Sequence, residues 1–380
     1  MAPEKHAILG ASSASRWIAC PPSALLNAAL PDVQSPWAEE GTKAHALCEY
    51  LINSEIRNQN SEIASQKPDF EYDDEMLDAA LGYKAYVLGE LGMCGDSPLK
   101  GQSPEVFIEQ RVDYSRWAPE GFGTVDCLAV SGDEMKIFDF KYGQGVEVDA
   151  EWNPQLLCYA LGGLELLSPL YEITNISLHI YQPRLNHIST FSLKTEELLA
   201  WAESTLRPAA QRAWAGEGEA NPGRWCKFCK AKPTCRALEK RNMELAKKDF
   251  PEPIGMSASE IAEVLPKLDL LIDWAGAVKE HALYRAMQGE KFPGYKLVAG
   301  RSVRKFKSEA DACLKIKEAG FNPYITKMKG LTELQKEMGK KAFEEACGGL
   351  LIKPQGKPAL VPETDKRPAL DLSAAADFED

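Results

Sequence analysis

The spacing of apolar side chains changes period several times along this chain. Over residues 12–30 and 37–58 they recur at helical intervals, and a further helix is predicted over 73–92, before Gly92 and Gly95. Within the first stretch, Ser15 can cap a short Arg16–Cys20 turn that Pro21-Pro22 closes. The period then falls to two. Val106–Val112, Gly123–Val130 and Met135–Lys141 predict three strands, the last two joined by Ser131-Gly132-Asp133-Glu134. Helical spacing returns over 153–166, with Asn153 as N-cap and Pro154 in the first helical position. Strands at 174–182 and 187–193 follow, then a long helix over 194–215. This order predicts a mixed α/β sheet with helices on both faces.

A cysteine-rich stretch comes next and feeds a helix to about residue 248. Phe250-Pro-Glu-Pro-Ile-Gly255 reads as a linker, and residues 257–287 as one long amphipathic helix. The chain therefore divides into a first domain over 1–249, a linker over 250–256, a mainly helical and partly basic module over 257–353, and a Pro- and acid-rich tail over 354–380 that is expected to be disordered.

Composition adds limits. The chain has 380 residues, 44% hydrophobic and 26% charged, as in ordinary globular domains. No run of 18 or more apolar residues exists, so no membrane-spanning helix is expected. The start, Met-Ala-Pro-Glu-Lys-His, lacks the pattern of a secretory signal, which points to the cytoplasm and to reduced thiols. The net charge of −12 argues against a polyanionic partner, but its distribution argues otherwise. Residues 221–249 carry nine Lys/Arg against three acids, and residues 291–330 carry ten against three. An acidic body with two basic segments is compatible with nucleic acid. In the second segment, Arg301, Arg304, Lys305 and Lys307 surround Phe306, a set suited to phosphates and an exposed base; solvated helix faces are the bland alternative.

The strands carry the candidate chemistry. Asp139 and Lys141 are two apart and share one face of a strand, while Phe138, Phe140 and Tyr142 share the other. A carboxylate can bind a hard divalent cation there, and the ammonium can orient a water or neutralise a phosphate. Alone such a pair is more often a surface ion pair. Asp126 sits among apolar residues in the preceding strand and needs a partner or a metal, or else backbone donors that satisfy a core acid. In a hairpin Asp126 and Asp139 lie side by side, and Glu109 offers a third carboxylate. Adjacent carboxylates invite Mg²⁺ or Mn²⁺. Gln155 and Tyr159 are four apart on the following helix and can face the same pocket. His45 is isolated on its helix, and a metal role depends on the rest.

Ten cysteines in a reducing compartment read as metal ligands and buried fillers. Cys226, Cys229 and Cys235 are packed into one short stretch, and Cys20 can close the set from the far end of the domain. Cys48, Cys127 and Cys158 lie on predicted buried faces.

The succession His45, Glu109, Gly123-x-x-Asp126, Asp139-x-Lys141 and Gln155-x-x-x-Tyr159 resembles the RecB-type branch of the PD-(D/E)xK nucleases. The single early cysteine with a late C-x2-C-x5-C is similar to the iron–sulfur members of that branch, the AddB nuclease domain and CRISPR-associated RecB-like exonucleases. The likeness covers about residues 10–240. It implies a restriction-endonuclease-like fold, with His45, Glu109, Asp126 and Asp139 as ligands of Mg²⁺ or Mn²⁺ and with Lys141, Gln155 and Tyr159 as catalytic or positioning residues. It also implies a [4Fe–4S] cluster on Cys20, Cys226, Cys229 and Cys235, although the spacing alone accepts a structural Zn²⁺ equally. Residues from 250 onward resemble the tails of phage and prophage proteins sharing this core. The expectation is a metal-dependent DNA exonuclease of phage recombination or replication, acting on single-stranded or duplex DNA ends, with a phage recombination or replication protein as an expected partner. A DNA-binding recombination accessory and a zinc-stabilised interaction protein are the alternatives.

Overall fold

The computed structural model describes residues 7–31, 36–58, 67–93, 104–246, 257–298, 307–324, 330, 334 and 338–351. The alternating segments form a five-stranded sheet in sequence order: β1 (Glu105–Asp113), β2 (Phe122–Ser131), β3 (Glu134–Phe140), β4 (Asn175–Gln182) and β5 (His187–Lys194). The first three strands pair antiparallel, β3 and β4 pair parallel, and β5 returns antiparallel. Parallel neighbours need a crossover, and α5 (Pro154–Leu167) supplies it. The mixed sheet between helices is the predicted fold class.

Each face of the sheet carries its own core. Val125, Leu128, Ile137, Leu178 and Ile180 bury one face against α5, together with α6 (Thr195–Trp201) and α7 (Arg207–Ala215). Cys127, Ala129, Phe138 and Phe140 bury the other face against α3 (Pro36–Asn58) and α4 (Asp74–Glu90). The two side-chain sets alternate along β3 and along β2 from Cys127 onward, with the phase broken between Val125 and Cys127. α5 approaches closely because Gly162 and Gly163 face the sheet; a Cβ there would stand 2.8 Å from Val112 and 2.6 Å from Leu128.

Three expectations change in detail. Pro21-Pro22 separates α1 (Ala14–Ala19) from α2 (Ser23–Ala28) as expected, but α1 begins at Ala14, so Ser15 lies within it and does not cap it. The helix predicted over 194–215 contains a π-helical turn at Ala202–Leu206, just before Pro208. Strand β3 ends at Phe140, so Lys141 lies one residue past it, its N–H donating to the Tyr181 carbonyl at 2.9 Å.

After the sheet, α8 (Arg236–Ala246) follows the cysteine turns, and α9 (Ala258–Met287) packs against those turns. The compact units are Met1–Ala299 and Gly300–Asp380, so α9, assigned from sequence to the accessory module, groups with the first unit. In the second unit, Ser308 caps the helix Glu309–Glu318, and a short helix spans Lys340–Cys347. The 250–256 linker and the 354–380 tail lie outside the described residues. Among the described residues, no helix is long and apolar enough to cross a membrane.

Candidate metal and carboxylate site

Strand register brings three carboxylates into one row. In the β1–β2 ladder Ile108 pairs with Cys127 and Gln110 with Val125, which sets Glu109 opposite Asp126. In the β2–β3 ladder Cys127 pairs with Phe138, and the next step sets Asp126 opposite Asp139. Both ladders are interrupted at that row. Glu109 has φ +49°, a left-handed backbone that a glutamate rarely adopts. Asp126 Oδ2 takes the N–H of Phe140 at 2.6 Å, where a strand carbonyl would otherwise serve. Backbone strain of this kind is retained where surrounding structure imposes it, and it concentrates at functional sites.

α3 adds the histidine. His45 Nδ1 lies 3.2 Å from Asp126 Oδ1. One ligand atom from each of His45, Glu109 and Asp126 falls within 4.8 Å of the others, so these three can share a metal ion. Asp139 is engaged differently. Its Oδ1 accepts from Lys141 Nζ at 3.1 Å and from Gln155 Nε2 at 3.1 Å. Its Oδ2, 2.9 Å from Lys141 Nζ, is buried without a well-aligned hydrogen bond. Gln155 also accepts from Lys141 through Oε1 at 3.0 Å and donates to the Tyr159 hydroxyl at 3.0 Å. The four side chains Asp139, Lys141, Gln155 and Tyr159 thus form one hydrogen-bonded cluster.

Local sequence explains this placement. Asn153 Oδ1 caps α5 through the N–H of Gln155 at 3.0 Å, which fixes Gln155 in the first turn. Tyr159 stands one turn later on the same face. Gly123 makes room for the Tyr159 ring, which a Cβ would meet at 2.7 Å; this gives the glycine of Gly123-x-x-Asp126 a steric role.

The electrostatics follow from burial and crowding. Desolvation, with help from Asp126 and Glu49 and against His45, pushes the Glu109 carboxyl up to about 7. Desolvation also raises Asp139, although Lys141 opposes it. For Lys141, burial acts downward, yet the carboxylates of Asp139 and Asp126 outweigh it and the ammonium is raised. For His45, burial likewise acts downward and is outweighed by Asp126. Three crowded carboxylates facing only one histidine and one lysine make a site suited to a dication.

The cysteines converge as well. One enclosed cavity is lined by Cys20, Cys226, Cys229 and Cys235, with Arg16 and Trp225 among its other walls. Asn27 ties the two chain ends: its Nδ2 donates to Cys229 Sγ at 3.2 Å, and its Oδ1 accepts from Lys230 N at 2.8 Å. Burial raises the Cys226 thiol; Cys229, Cys20 and Cys235 add to that, against the N–H of Gly223. Four cysteine side chains lining one enclosed pocket fit a tetrathiolate metal group. Cys48, Cys127 and Cys158 are buried in the core, as expected.

Sequence reasoning passed over two residues here. Arg184 donates to Glu40 at 2.7 Å and Glu75 at 2.9 Å, and stacks 3.8 Å from the Tyr142 ring centroid, joining α3 and α4 to the chain just after Lys141. Asn27 is the other. Both act across long sequence separations, and no local spacing reveals them. Of the expected DNA-contacting residues, Arg301, Arg304 and Lys305 lie outside the described residues, and Lys307 is exposed.

A family model described as "Protein of unknown function (DUF2800)" matches residues 6–368. Among solved structures, one titled "Crystal structure of SSO0001" is similar at 13% identity and a TM-score of 0.30, over 62% of this chain and 89% of that chain.

Proposed function

The chain belongs to the DUF2800 family, and from its site we propose that it is a Mg²⁺- or Mn²⁺-dependent deoxyribonuclease that hydrolyses phosphodiester bonds at DNA ends. The observation that carries this reading is the cluster of Glu109, Asp126 and Asp139 on adjacent strands, with His45 beside Asp126 and Lys141 beside Asp139. A purely structural acid needs one good partner. Three acids in register, one on a strained backbone, are better explained by a cation.

His45, Glu109 and Asp126 are the residues that would hold the metal, with Asp139 bound by Lys141 and Gln155 beside them. A dication there supplies Lewis acidity at the phosphoryl group and eases deprotonation of water. The chain's own groups do the remaining work. Lys141 holds its proton and presents positive charge to the scissile phosphate. Gln155 fixes Lys141 through Oε1 and Asp139 through Nε2, so the ammonium and the carboxylate keep one geometry. Tyr159 offers a hydroxyl beside them, held by Gln155. Asp126, bonded to the Phe140 N–H, ties the position of His45 to the end of β3.

We assign the four cysteines to a [4Fe–4S] cluster that clasps the first residues of the domain to its end. The enclosed thiol pocket and the resemblance of the cysteine spacing support this, and a structural zinc is the competing occupant. The basic stretch 221–249 around the clasp supports DNA as the substrate. A role in phage recombination or replication remains an inference from the resemblance alone.

The test is cleavage of linear DNA by the anaerobically purified protein with Mn²⁺, with EDTA, and with Asp126→Asn. Metal-dependent product that disappears in the other two reactions supports the reading. DNA binding without metal-dependent cleavage points to the recombination accessory. A colourless protein holding one zinc, without DNA affinity, points to the interaction protein.

A further inference from the structure

The loop from β3 to α5 carries a second set of metal-type donors. It leaves Lys141 and ends at Asn153, the cap of α5. Gln182, buried at the end of β4, fixes its middle. Val148 N donates to Gln182 Oε1 at 2.8 Å, and Gln182 Nε2 donates to the Val146 carbonyl at 2.9 Å. Farther on, Ala150 N donates to Ser189 Oγ at 2.9 Å. Bonds to two strands therefore hold the loop before any ligand arrives.

Glu147 and Asp149 flank Val148 on this loop and both approach His187, the first residue of β5, which pairs with Gln182. Glu147 Oε1 is 3.6 Å from His187 Nδ1, and Asp149 Oδ1 is 3.7 Å from His187 Nε2. One ligand atom from each of the three lies within 4.8 Å of the others. Metal–ligand bonds of about 2.0–2.2 Å separate neighbouring ligand atoms by roughly 3–3.5 Å, so a shared ion requires the exposed Asp149 side chain to swing from the Nε2 side of the ring toward Glu147 and Nδ1.

The histidine is the independent observation. Its side chain is only 8% exposed, whereas those of Glu147 and Asp149 are 56% and 68% exposed. His187 Nε2 lies 3.1 Å from the Val148 carbonyl, a contact that requires Nε2 to carry the hydrogen. A neutral ring then directs the Nδ1 lone pair at a carboxylate oxygen. Pinning one ring nitrogen to a carbonyl is how metal-binding histidines are oriented.

We propose that Glu147, Asp149 and His187 bind a transition-metal dication of the Zn²⁺ or Mn²⁺ class, separate from the His45–Glu109–Asp126 group, and that binding stiffens the loop between Lys141 and Gln155. An imidazole with two carboxylates favours such ions over Mg²⁺, which prefers oxygen alone. The exposed side of the carboxylates leaves room for water ligands. The proposal does not depend on nuclease activity.

The test uses the full chain carrying Asp126→Asn and Asp139→Asn, so that the carboxylate row is disabled. Zn²⁺ and Mn²⁺ are counted by equilibrium dialysis and elemental analysis, with and without Glu147→Gln plus Asp149→Asn. These two acids are exposed, so folding is spared; His187→Ala is the harsher companion. The expected result is one bound equivalent lost on removing the two acids, with the thiol-bound metal unchanged. Amide hydrogen exchange across residues 143–152 should slow at least tenfold with Zn²⁺ only when the acids are present. Equal metal counts in both chains would overturn the site. Lost metal with unchanged exchange would overturn the stiffening. Either result is read independently of DNA cleavage.

Discussion

At the scale of single residues, Glu109 is where structure and chemistry conflict most openly. Its left-handed backbone costs roughly 1 kcal/mol that glycine would not pay. Glu109→Gly should therefore raise the melting temperature of the metal-free protein while weakening Mn²⁺ binding and cleavage, and losing both together would mean that the strain has no functional return. The same carboxyl sets a pH dependence. It is pushed up to about 7, and a metal ligand must be deprotonated, so Mn²⁺ binding should tighten as pH rises through that value. Glu109→Gln should remove the step in a binding-versus-pH titration. Asp126, Asp139 and Lys141 were legible in the sequence because strand alternation and an acid within an apolar run are local signals. Glu109 could be named but not fixed, since its place depends on the β1–β2 register. Arg184 and Asn27 were not legible, because their partners are long-range.

At the scale of elements, α5 packs against the sheet with no room for a Cβ at Gly123, Gly162 or Gly163. Gly123→Ala would press a methyl against the Tyr159 ring and should cost about 1–3 kcal/mol by overpacking. Chemical denaturation checks this, and a neutral result would mean that Tyr159 moves freely. On the opposite face, His179 joins α4 to β4. Its Nδ1 pairs with the Tyr86 hydroxyl at 2.8 Å, its Nε2 with Ser177 Oγ at 2.9 Å, and Phe138 stacks on the ring. Burial, with Lys136 adding to it, pushes the imidazole down to about 4. Between an unfolded value near 6.5 and that folded value, the unfolded chain binds the extra proton. Stability from this group is complete above about pH 6.5 and falls as pH drops toward 4, by roughly 3 kcal/mol. Denaturation midpoints of wild type and His179→Asn should converge over that window; parallel curves would exclude His179 as the titrating group. The strands, α5 and its cap were readable from period and turn residues. The break between α1 and α2 was readable from Pro21-Pro22, whereas the π-helical turn before Pro208 was not, because periodicity smooths over it.

At the scale of the whole molecule, the four cysteines join residues near the start of the first unit to residues past its sheet. Cys20→Ser and Cys229→Ser should destabilise to a similar extent and release the same metal group, while Cys313→Ser, outside that unit, should do neither. Intact metal content in Cys20→Ser would contradict the clasp. The protein should also be brown, absorbing broadly near ~400 nm by thiolate-to-iron charge transfer. The cysteine set, Cys20 included, was read from spacing and resemblance, and the fold brings the four side chains to one pocket. The central claim is that Lys141 and the carboxylate row hydrolyse DNA, and the most direct measurement is single-turnover cleavage of end-labelled linear DNA with Mn²⁺ by wild type and Lys141→Ala. The account predicts nucleotide release by wild type and a rate about 10²–10⁴-fold lower for the variant, with its fold and Mn²⁺ binding retained. Equal rates, or no metal-dependent release by the wild type with its thiol-bound group intact, would contradict it.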